Sequence, residues 1–106
     1  MFHYLYVLYS QRDGKFYTGV TSDLRKRLKE HNSGKNISTK HRRPLKLIYY
    51  ESYLLRDDAV AREKYLKTSM GKRVLKKQLK NFIKLAKSGK IAVDSIKSGL
   101  PRWCGA

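Results

Sequence analysis

The sequence has little cysteine, few acidic residues and no long apolar run. Cys104 is the one cysteine among 106 residues, so an intrachain disulfide is excluded and a cysteine-based metal site has no second ligand. No apolar stretch approaches the roughly 20 residues that span a bilayer. The first nine residues also lack the charged start and cleavage region of a signal peptide. We therefore expect a cytoplasmic protein without a membrane span.

Positive charge is what the sequence has in excess. Lys and Arg number 25 against 8 Asp and Glu, which gives a formal net charge of +17, and the excess is spread along the chain. A small basic protein most often meets a polyanion, because each phosphate contact releases condensed counterions. Nucleic acid is the favoured partner, with an anionic membrane surface or an acidic protein as the alternatives.

Short apolar runs predict one α+β domain. Residues 2–9 and 15–20 read as strands of a hairpin, with Asp13-Gly14 tolerating the positive φ of its turn. A first helix is predicted over 23–33, with Ser22 or Thr21 as its cap and Gly34 as its stop. A third strand follows over 45–50. Two more helices are predicted, from Asp57 or Asp58 to about Lys67 and from Ser69 to about residue 87. This order, β-β-α-β-α-α, favours a small three-stranded, mostly antiparallel sheet flanked by helices. The domain is predicted at 1–87, with a tail at 88–106 that Trp103 would dock.

Basic residues concentrate in two places that are candidates for phosphate contacts. The segment between Gly34 and Pro44 is polar and contains Lys35, Lys40, Arg42 and Arg43, which predicts a loop able to clamp phosphates. Lys72 and Arg73 lie on the basic face of the third predicted helix. That face is either a nucleic-acid contact or only solvated surface.

Two helices carry polar residues where their patterns call for apolar ones. Arg27 and His31 are four residues apart and therefore neighbours on the first helix, beside the apolar stripe of Leu24 and Leu28. Each has a plain alternative, a boundary arginine with an apolar stem and a histidine favoured by the helix dipole. On the second helix Glu63 falls on the apolar face, where a carboxylate requires a cation, a metal or a basic partner; its plain partners are Arg62 and Lys67.

Several motifs with their spacing resemble the GIY-YIG nuclease superfamily. Tyr4-Leu5-Tyr6 stands where the family has Gly-Ile-Tyr, and Tyr17-Thr18-Gly19 where it has Tyr-Ile-Gly. Residues 21–32 fit the pattern T-x-D-L-x-x-R-L-x-x-H-N, and residues 59–67 fit A-x-x-x-E-x-x-[IL]-K. The resemblance covers residues 1–85 and is to the short stand-alone members, which are related to the nuclease domain of the bacterial excision-repair incision subunit.

The resemblance implies a role for five side chains. Glu63 would bind a divalent metal, Mg²⁺ or another such as Mn²⁺, and Arg27 would contact the scissile phosphate. One of Tyr6 and Tyr17 would activate the attacking water, assisted by His31; we favour Tyr6. A tyrosine of pKa about 10 is a poor base near neutrality, so we expect cationic neighbours to lower the pKa of Tyr6.

The sequence thus predicts a metal-dependent endonuclease that nicks one strand of nucleic acid per site, with DNA favoured over RNA and DNA repair as its setting. Val20 stands where the repair branch of the family has a lysine, which supports a second hypothesis, a basic nucleic-acid-binding protein that keeps the scaffold without turnover. A third is an adaptor domain that docks a protein partner on Phe82, Trp103 or the tail.

Overall fold

A computed structural model of the chain describes residues 1–34 and 40–88, with Arg42 described by its backbone alone. Lys35 and the predicted docking of the tail through Trp103 lie outside the described residues. The elements in chain order are β1 (His3–Ser10), β2 (Phe16–Thr21), α1 (Leu24–Asn32), a 3₁₀ turn (Lys40–Arg42), β3 (Leu45–Tyr53), α2 (Arg56–Leu66), α3 (Ser69–Gln78) and α4 (Lys80–Ser88).

The three strands form one antiparallel sheet in the order β2-β1-β3, which confirms the predicted α+β class. β1 occupies the centre because it is almost wholly aromatic and branched, and four consecutive residues from Leu5 to Leu8 are buried. The predicted hairpin turn between β1 and β2 is also present. Gly14 adopts a positive φ of 70°, and its N–H donates to the carbonyl of Ser10 over 2.8 Å.

Alternation along β1 divides the core between the two faces of the sheet. Tyr6 and Leu8 point to the face that α1 covers, and Leu5 and Val7 to the face that α2 and α3 cover. The buried partners on the first face are Leu24, Leu28, Leu45 and Leu47; those on the second are Leu66 and Leu75. Tyr6 therefore belongs to the hydrophobic core on the α1 side.

The predicted helix caps were wrong by one to three residues. Asp23, and not Ser22 or Thr21, caps α1, because its side chain accepts from the Lys26 N–H over 3.1 Å. Thr68, and not Ser69, caps α3 by accepting from the Gly71 N–H over 3.0 Å. Leu55 occupies the cap position of α2 with no side-chain bond, and Asp57 and Asp58 lie in the first turn, where their charge favours the helix dipole.

The predicted single third helix is two helices. The chain leaves helical geometry at Leu79 (φ −103°, ψ 23°), although the Leu79 N–H still donates to the Leu75 carbonyl over 2.9 Å. Beyond this break α4 places Phe82 edge-on to Tyr9, with ring centroids 5.2 Å apart. Apolar residues keep their helical spacing across the break, so their periodicity predicts one continuous helix. The full order is β-β-α-β-α-α-α.

Candidate active site

Tyr6 is at the centre of the group of predicted site residues. Its side chain is 3% exposed, and its hydroxyl lies 3.0 Å from Nε2 of His31. The same hydroxyl accepts a hydrogen bond from Nε of Arg27 over 3.1 Å. Because Arg27 and His31 are four apart on α1, both reach across to β1 at one point. The structure thus brings three of the five predicted residues into direct contact.

The donor in one of the two hydrogen bonds of Tyr6 is fixed. The guanidinium of Arg27 can only donate, so the Tyr6 oxygen accepts from it. Burial lowers the pKa of His31, and the positive charge of Arg27 lowers it further, so the neutral imidazole is favoured near pH 7. In the tautomer that carries its proton on Nδ1, Nε2 of His31 accepts from the Tyr6 O–H.

Arg27 lowers the pKa of Tyr6 as expected, but burial outweighs it and the pKa is raised overall. Burial raises the pKa of Tyr6, and the hydrogen bond and charge of Arg27 offset this only in part, while Glu63 and Glu30 raise it further. His31 supplies no positive charge because it is neutral. Tyr6 is thus protonated at neutral pH, and removing its proton requires an acceptor such as His31.

Glu30 lies half-buried beside Arg27 on α1. Its carboxylate forms an ion pair with Nη1 of Arg27 over 3.3 Å. The hydrogen bond to Tyr6 makes the largest contribution to stabilising the charged guanidinium, and Glu30 adds to it. Together they raise the pKa of Arg27. The spacing of three between Arg27 and Glu30 was the signal that could have found this pair.

Gly19 is the residue on β2 that faces Tyr6 across the strand pair. A Cβ atom at Gly19 would overlap the hydroxyl and ring of Tyr6. A glycine inside a strand often marks such a close approach. The glycine of the second tripeptide motif is thus required by the position of the Tyr6 ring.

Tyr17 lies on the same face of the sheet but directs its hydroxyl to the hairpin turn. It donates to Oδ2 of Asp13 over 2.7 Å, and Oδ1 of Asp13 accepts from the Lys15 N–H over 2.9 Å. Its ring packs against the core cluster that contains Tyr6. Tyr17 shares the region of the site, with Asp13 holding its hydroxyl.

Glu63 lies between the buried residues Ala59 and Leu66 on α2 and is itself partly buried, as the pattern predicted. Oε2 of Glu63 is 3.3 Å from Nζ of Lys67, its basic partner. Through Leu66, α2 packs on the face of the sheet opposite to Tyr6, and the negative charge of Glu63 raises the pKa of Tyr6.

Arg62, the other expected partner of Glu63, binds Glu51 instead. Nε of Arg62 donates to both carboxylate oxygens of Glu51 over 3.1 and 3.2 Å, and the hydroxyls of Tyr49 and Tyr53 donate to the same carboxylate. Burial alone would raise the pKa of Glu51, but these bonds and the charge of Arg62 hold it below its ordinary value. The network fastens α2 to β3 at the residue before Glu63. The sequence did not predict this network, because the predicted strand ended before Glu51.

Glu63 is the candidate ligand for a divalent metal. Within residues 1–34 and 40–88, no three or more His, Cys, Asp or Glu side chains form a group able to hold a metal. Mg²⁺ does not require such a cage, since it keeps several waters and commonly takes one or two carboxylates together with substrate phosphates. Glu63, partly buried on α2, would supply one such carboxylate.

The predicted phosphate contacts do not form one surface. Lys40 and Arg43 are exposed close to the end of α1, whereas Lys72 and Arg73 are exposed on α3, on the other face of the sheet. Lys35 and the side chain of Arg42 lie outside the described residues. Two separate basic regions are therefore available to nucleic acid.

Comparison with known proteins agrees with the motifs. The model of the GIY-YIG catalytic domain matches residues 2–78. The chain is 46% identical over 67 residues to a UPF0213 protein of Bacillus pumilus, an alignment that covers 62% of this chain and 67% of that protein. It is 37% identical over 92 residues to the UPF0213 protein YazA of Bacillus subtilis, covering 86% and 87%.

A solved structure is also similar. The solution NMR structure of a UPF0213 protein from Bacillus halodurans is 35% identical, with a TM-score of 0.45 over 71% of this chain and 82% of that one. No helix in the described part of the chain is long and apolar enough to cross a membrane. On the match of residues 2–78, the chain belongs to the GIY-YIG nuclease family, whose domain binds nucleic acid.

Proposed function

We propose that the protein is a metal-dependent endonuclease that hydrolyses phosphodiester bonds and nicks one strand per site. The observation that supports this best is the hydrogen-bond chain from Arg27 through the Tyr6 hydroxyl to Nε2 of His31. Hydrolysis needs an attacking water to lose a proton, and a neutral imidazole behind a buried tyrosine provides the acceptor.

The proton transfers through this chain balance. As water attacks phosphorus, its proton passes to the Tyr6 oxygen while the Tyr6 proton passes to Nε2 of His31. The new P–O bond forms and the bond to the 3′ oxygen breaks. The departing 3′ oxygen takes a proton from solvent water, and the imidazolium of His31 returns its proton to solvent. Arg27 holds the tyrosine oxygen throughout.

Charge on the phosphoryl group requires fixed positive partners. A guanidinium has five N–H donors, so Arg27 can bind Tyr6 through Nε and Glu30 through Nη1 and still reach a phosphate oxygen. Mg²⁺, bound by Glu63, would act as a Lewis acid toward the leaving oxygen. One carboxylate site acts on one bond, so a lone domain nicks.

DNA is the proposed substrate, because the motifs resemble an excision-repair nuclease domain. The net charge of +17 supplies salt-sensitive affinity for phosphates. Phosphate contacts carry little sequence information, so we expect cleavage with weak sequence preference.

A cleavage assay tests the proposal. Supercoiled plasmid and branched or flapped oligonucleotides are incubated with and without Mg²⁺, using Tyr6→Phe and Glu63→Gln as site variants. Tyr4→Phe is the matched control, since Tyr4 is a β1 tyrosine on the same face that packs edge-on against Tyr50. We expect nicking to fall about 10²–10⁴-fold in the site variants and to persist in the control. Undiminished cleavage in both site variants would refute the assignment.

The second candidate function is nucleic-acid binding without turnover. Val20 in place of a lysine and the raised pKa of Tyr6 both favour it. This hypothesis predicts salt-sensitive binding with no cleavage at any Mg²⁺ or Mn²⁺ concentration, so the same assay decides between the two.

A further inference from the structure

An open cavity of about 590 Å³ lies beside the C-terminal end of α1, apart from the Tyr6 group. Four of its six lining residues are cationic and none is acidic. The lining consists of Arg12, Asn32, Lys40, Arg43, Pro44 and Lys46. These residues come from the hairpin turn, the end of α1, the 3₁₀ turn region and the start of β3, so the cavity is formed by tertiary structure.

The walls of this cavity are held by side-chain bonds to the backbone. Nδ2 of Asn32 donates to the Leu45 carbonyl over 3.0 Å, and Oδ1 of Asn32 accepts from the Leu45 N–H over 2.9 Å. The guanidinium of Arg43 donates to the carbonyls of Lys40 over 2.9 Å and Asn32 over 3.3 Å. The end of α1 is thereby fastened to β3, and the Arg43 guanidinium is held in the cavity wall.

The charge of the cavity is not neutralised by its lining. Asp13, the acidic residue next to Arg12 in sequence, is bonded to the Tyr17 hydroxyl and the Lys15 N–H. Like charges gathered in a concave site focus the potential and raise the local concentration of an anion. An anion with several acceptor oxygens, such as a phosphate group, matches this arrangement of lysine and arginine donors.

We propose that this cavity binds a backbone phosphate of the nucleic acid other than the scissile one. The inference takes its ligand class from the proposed function and assigns a second contact point on the substrate. Asn32 in the cavity wall follows His31 directly on α1, so the cavity lies at the end of the helix that carries His31.

Binding measured without metal tests the cavity separately from catalysis. A fluorescein-labelled oligonucleotide, single-stranded or duplex, is titrated by anisotropy over a range of salt concentrations in EDTA. The cavity variant is Arg12→Gln/Lys46→Gln, and the matched control is Arg56→Gln/Lys64→Gln, which removes one exposed arginine and one exposed lysine from α2. Arg43 is left intact because its guanidinium holds the end of α1.

We expect the cavity variant to bind about tenfold more weakly, as the loss of charge-assisted bonds to one phosphate predicts. The slope of log Kd against log salt should fall by about 1, with little change in the control. Thermal unfolding verifies that both variants fold. Lys46 is partly buried, so a second cavity variant replaces only exposed residues, Arg12→Gln/Lys40→Gln. This variant must show the same loss of binding.

Two results would overturn the proposal that the cavity binds phosphate. One is unchanged binding in both cavity variants, and the other is an equal loss in the control, which would show that only net charge matters. A protein that binds through the cavity but never cleaves refutes the nuclease proposal alone. A protein that cleaves while both cavity variants bind normally refutes the cavity alone.

Discussion

Nε2 of His31 lies 3.0 Å from the hydroxyl of Tyr6, and the imidazole is 4% exposed. In the proposed mechanism an acceptor at this point receives the tyrosine proton directly, without an intervening water. The pair would then function as one unit, in which Tyr6 contacts the attacking water and His31 takes the charge.

Replacing His31 tests this unit. His31→Gln keeps a polar side chain but removes the basic nitrogen, so we expect kcat to fall about 10²–10³-fold with KM nearly unchanged. His41→Gln, in an exposed histidine of the 3₁₀ turn, serves as control. Steady-state nicking rates measure both. Full activity in His31→Gln would show that the proton leaves by another route.

The pH dependence of cleavage should reflect the neutral state of His31. Burial, followed by the charge of Arg27, lowers the pKa of His31 below its ordinary 6.5, although Glu30 opposes them. Since only the neutral imidazole accepts a proton, log(kcat/KM) should stay flat as pH falls through 6.5 and decline only below it. In His31→Gln this acidic limb should disappear. A limb centred above 6.5 would contradict the assignment.

Gly19→Ala should lower both activity and stability, because the Tyr6 ring that the new methyl group would overlap is part of the core. The added methyl group would overlap the Tyr6 hydroxyl, which displaces that group from Arg27 and His31, and a misplacement of about 1 Å can reduce a rate ~10²-fold. Gly14→Ala is the control. The strain in this variant comes from the φ of 70° in the hairpin turn, since the nearest neighbour of the added methyl group outside the turn is 4.0 Å away. Gly14→Ala should lower stability and leave kcat intact. Equal kcat in the two variants would show that the methyl group at Gly19 does not displace the Tyr6 hydroxyl.

Glu51→Gln should lower stability by about 1–3 kcal/mol, because the hydroxyls of Tyr49 and Tyr53 and the charge of Arg62 lose their ionised acceptor. The folded pKa of Glu51 lies below its ordinary 4.5. The stabilisation is therefore present above pH 4.5 and is lost as pH falls through the folded value. Urea unfolding of wild type and variant, repeated across this range, measures both effects.

A control for Glu51 is available on the neighbouring helix. Glu63→Gln breaks an ion pair whose lysine is 59% exposed, and exposed pairs contribute at most about 1 kcal/mol. We expect Glu63→Gln to remove cleavage with little loss of stability, and Glu51→Gln to do the reverse at neutral pH. Equal stability losses would show that the Glu51 network does not fasten α2 to the sheet.

Gly71→Ala should destabilise the domain strongly. A Cβ atom at Gly71 would overlap the backbone of Tyr65 and Leu66, and backbone atoms cannot move aside as a flexible side chain can. α3 would have to shift from α2, so we expect a loss of about 1–3 kcal/mol, the usual range for overpacking. Thermal unfolding measures it, with Met70→Ala at an exposed neighbouring position as control.

Local rules predicted much of this site. A spacing of four brings Arg27 and His31 together on any helix, and the interrupted apolar stripe predicted the partial burial of Glu63. The hairpin and the sheet class followed from alternation and from the Asp13-Gly14 turn. These features depend on residues near one another in sequence, where pattern and geometry are tied.

What the sequence could not predict depends on contacts between distant segments. The pKa of Tyr6 moved opposite to expectation because its burial comes from α1 and β3 residues that no local pattern counts. Glu51 acquired partners only when β3 extended past residue 50 and placed it beside Arg62 on α2. The break at Leu79 is likewise accompanied by a distant contact, that of Phe82 with Tyr9.

The burial of Tyr6 has a consequence for how this protein could change over evolutionary time. Its ring fills the core between β1 and α1, so a small residue there would leave a cavity costing about 3–5 kcal/mol, whereas phenylalanine would remove only the hydroxyl. A lineage that abandons catalysis but keeps the domain should therefore retain an aromatic residue at position 6. Tyrosine or phenylalanine at that single position would then distinguish chains that retain the reactive hydroxyl from those that have become binding proteins.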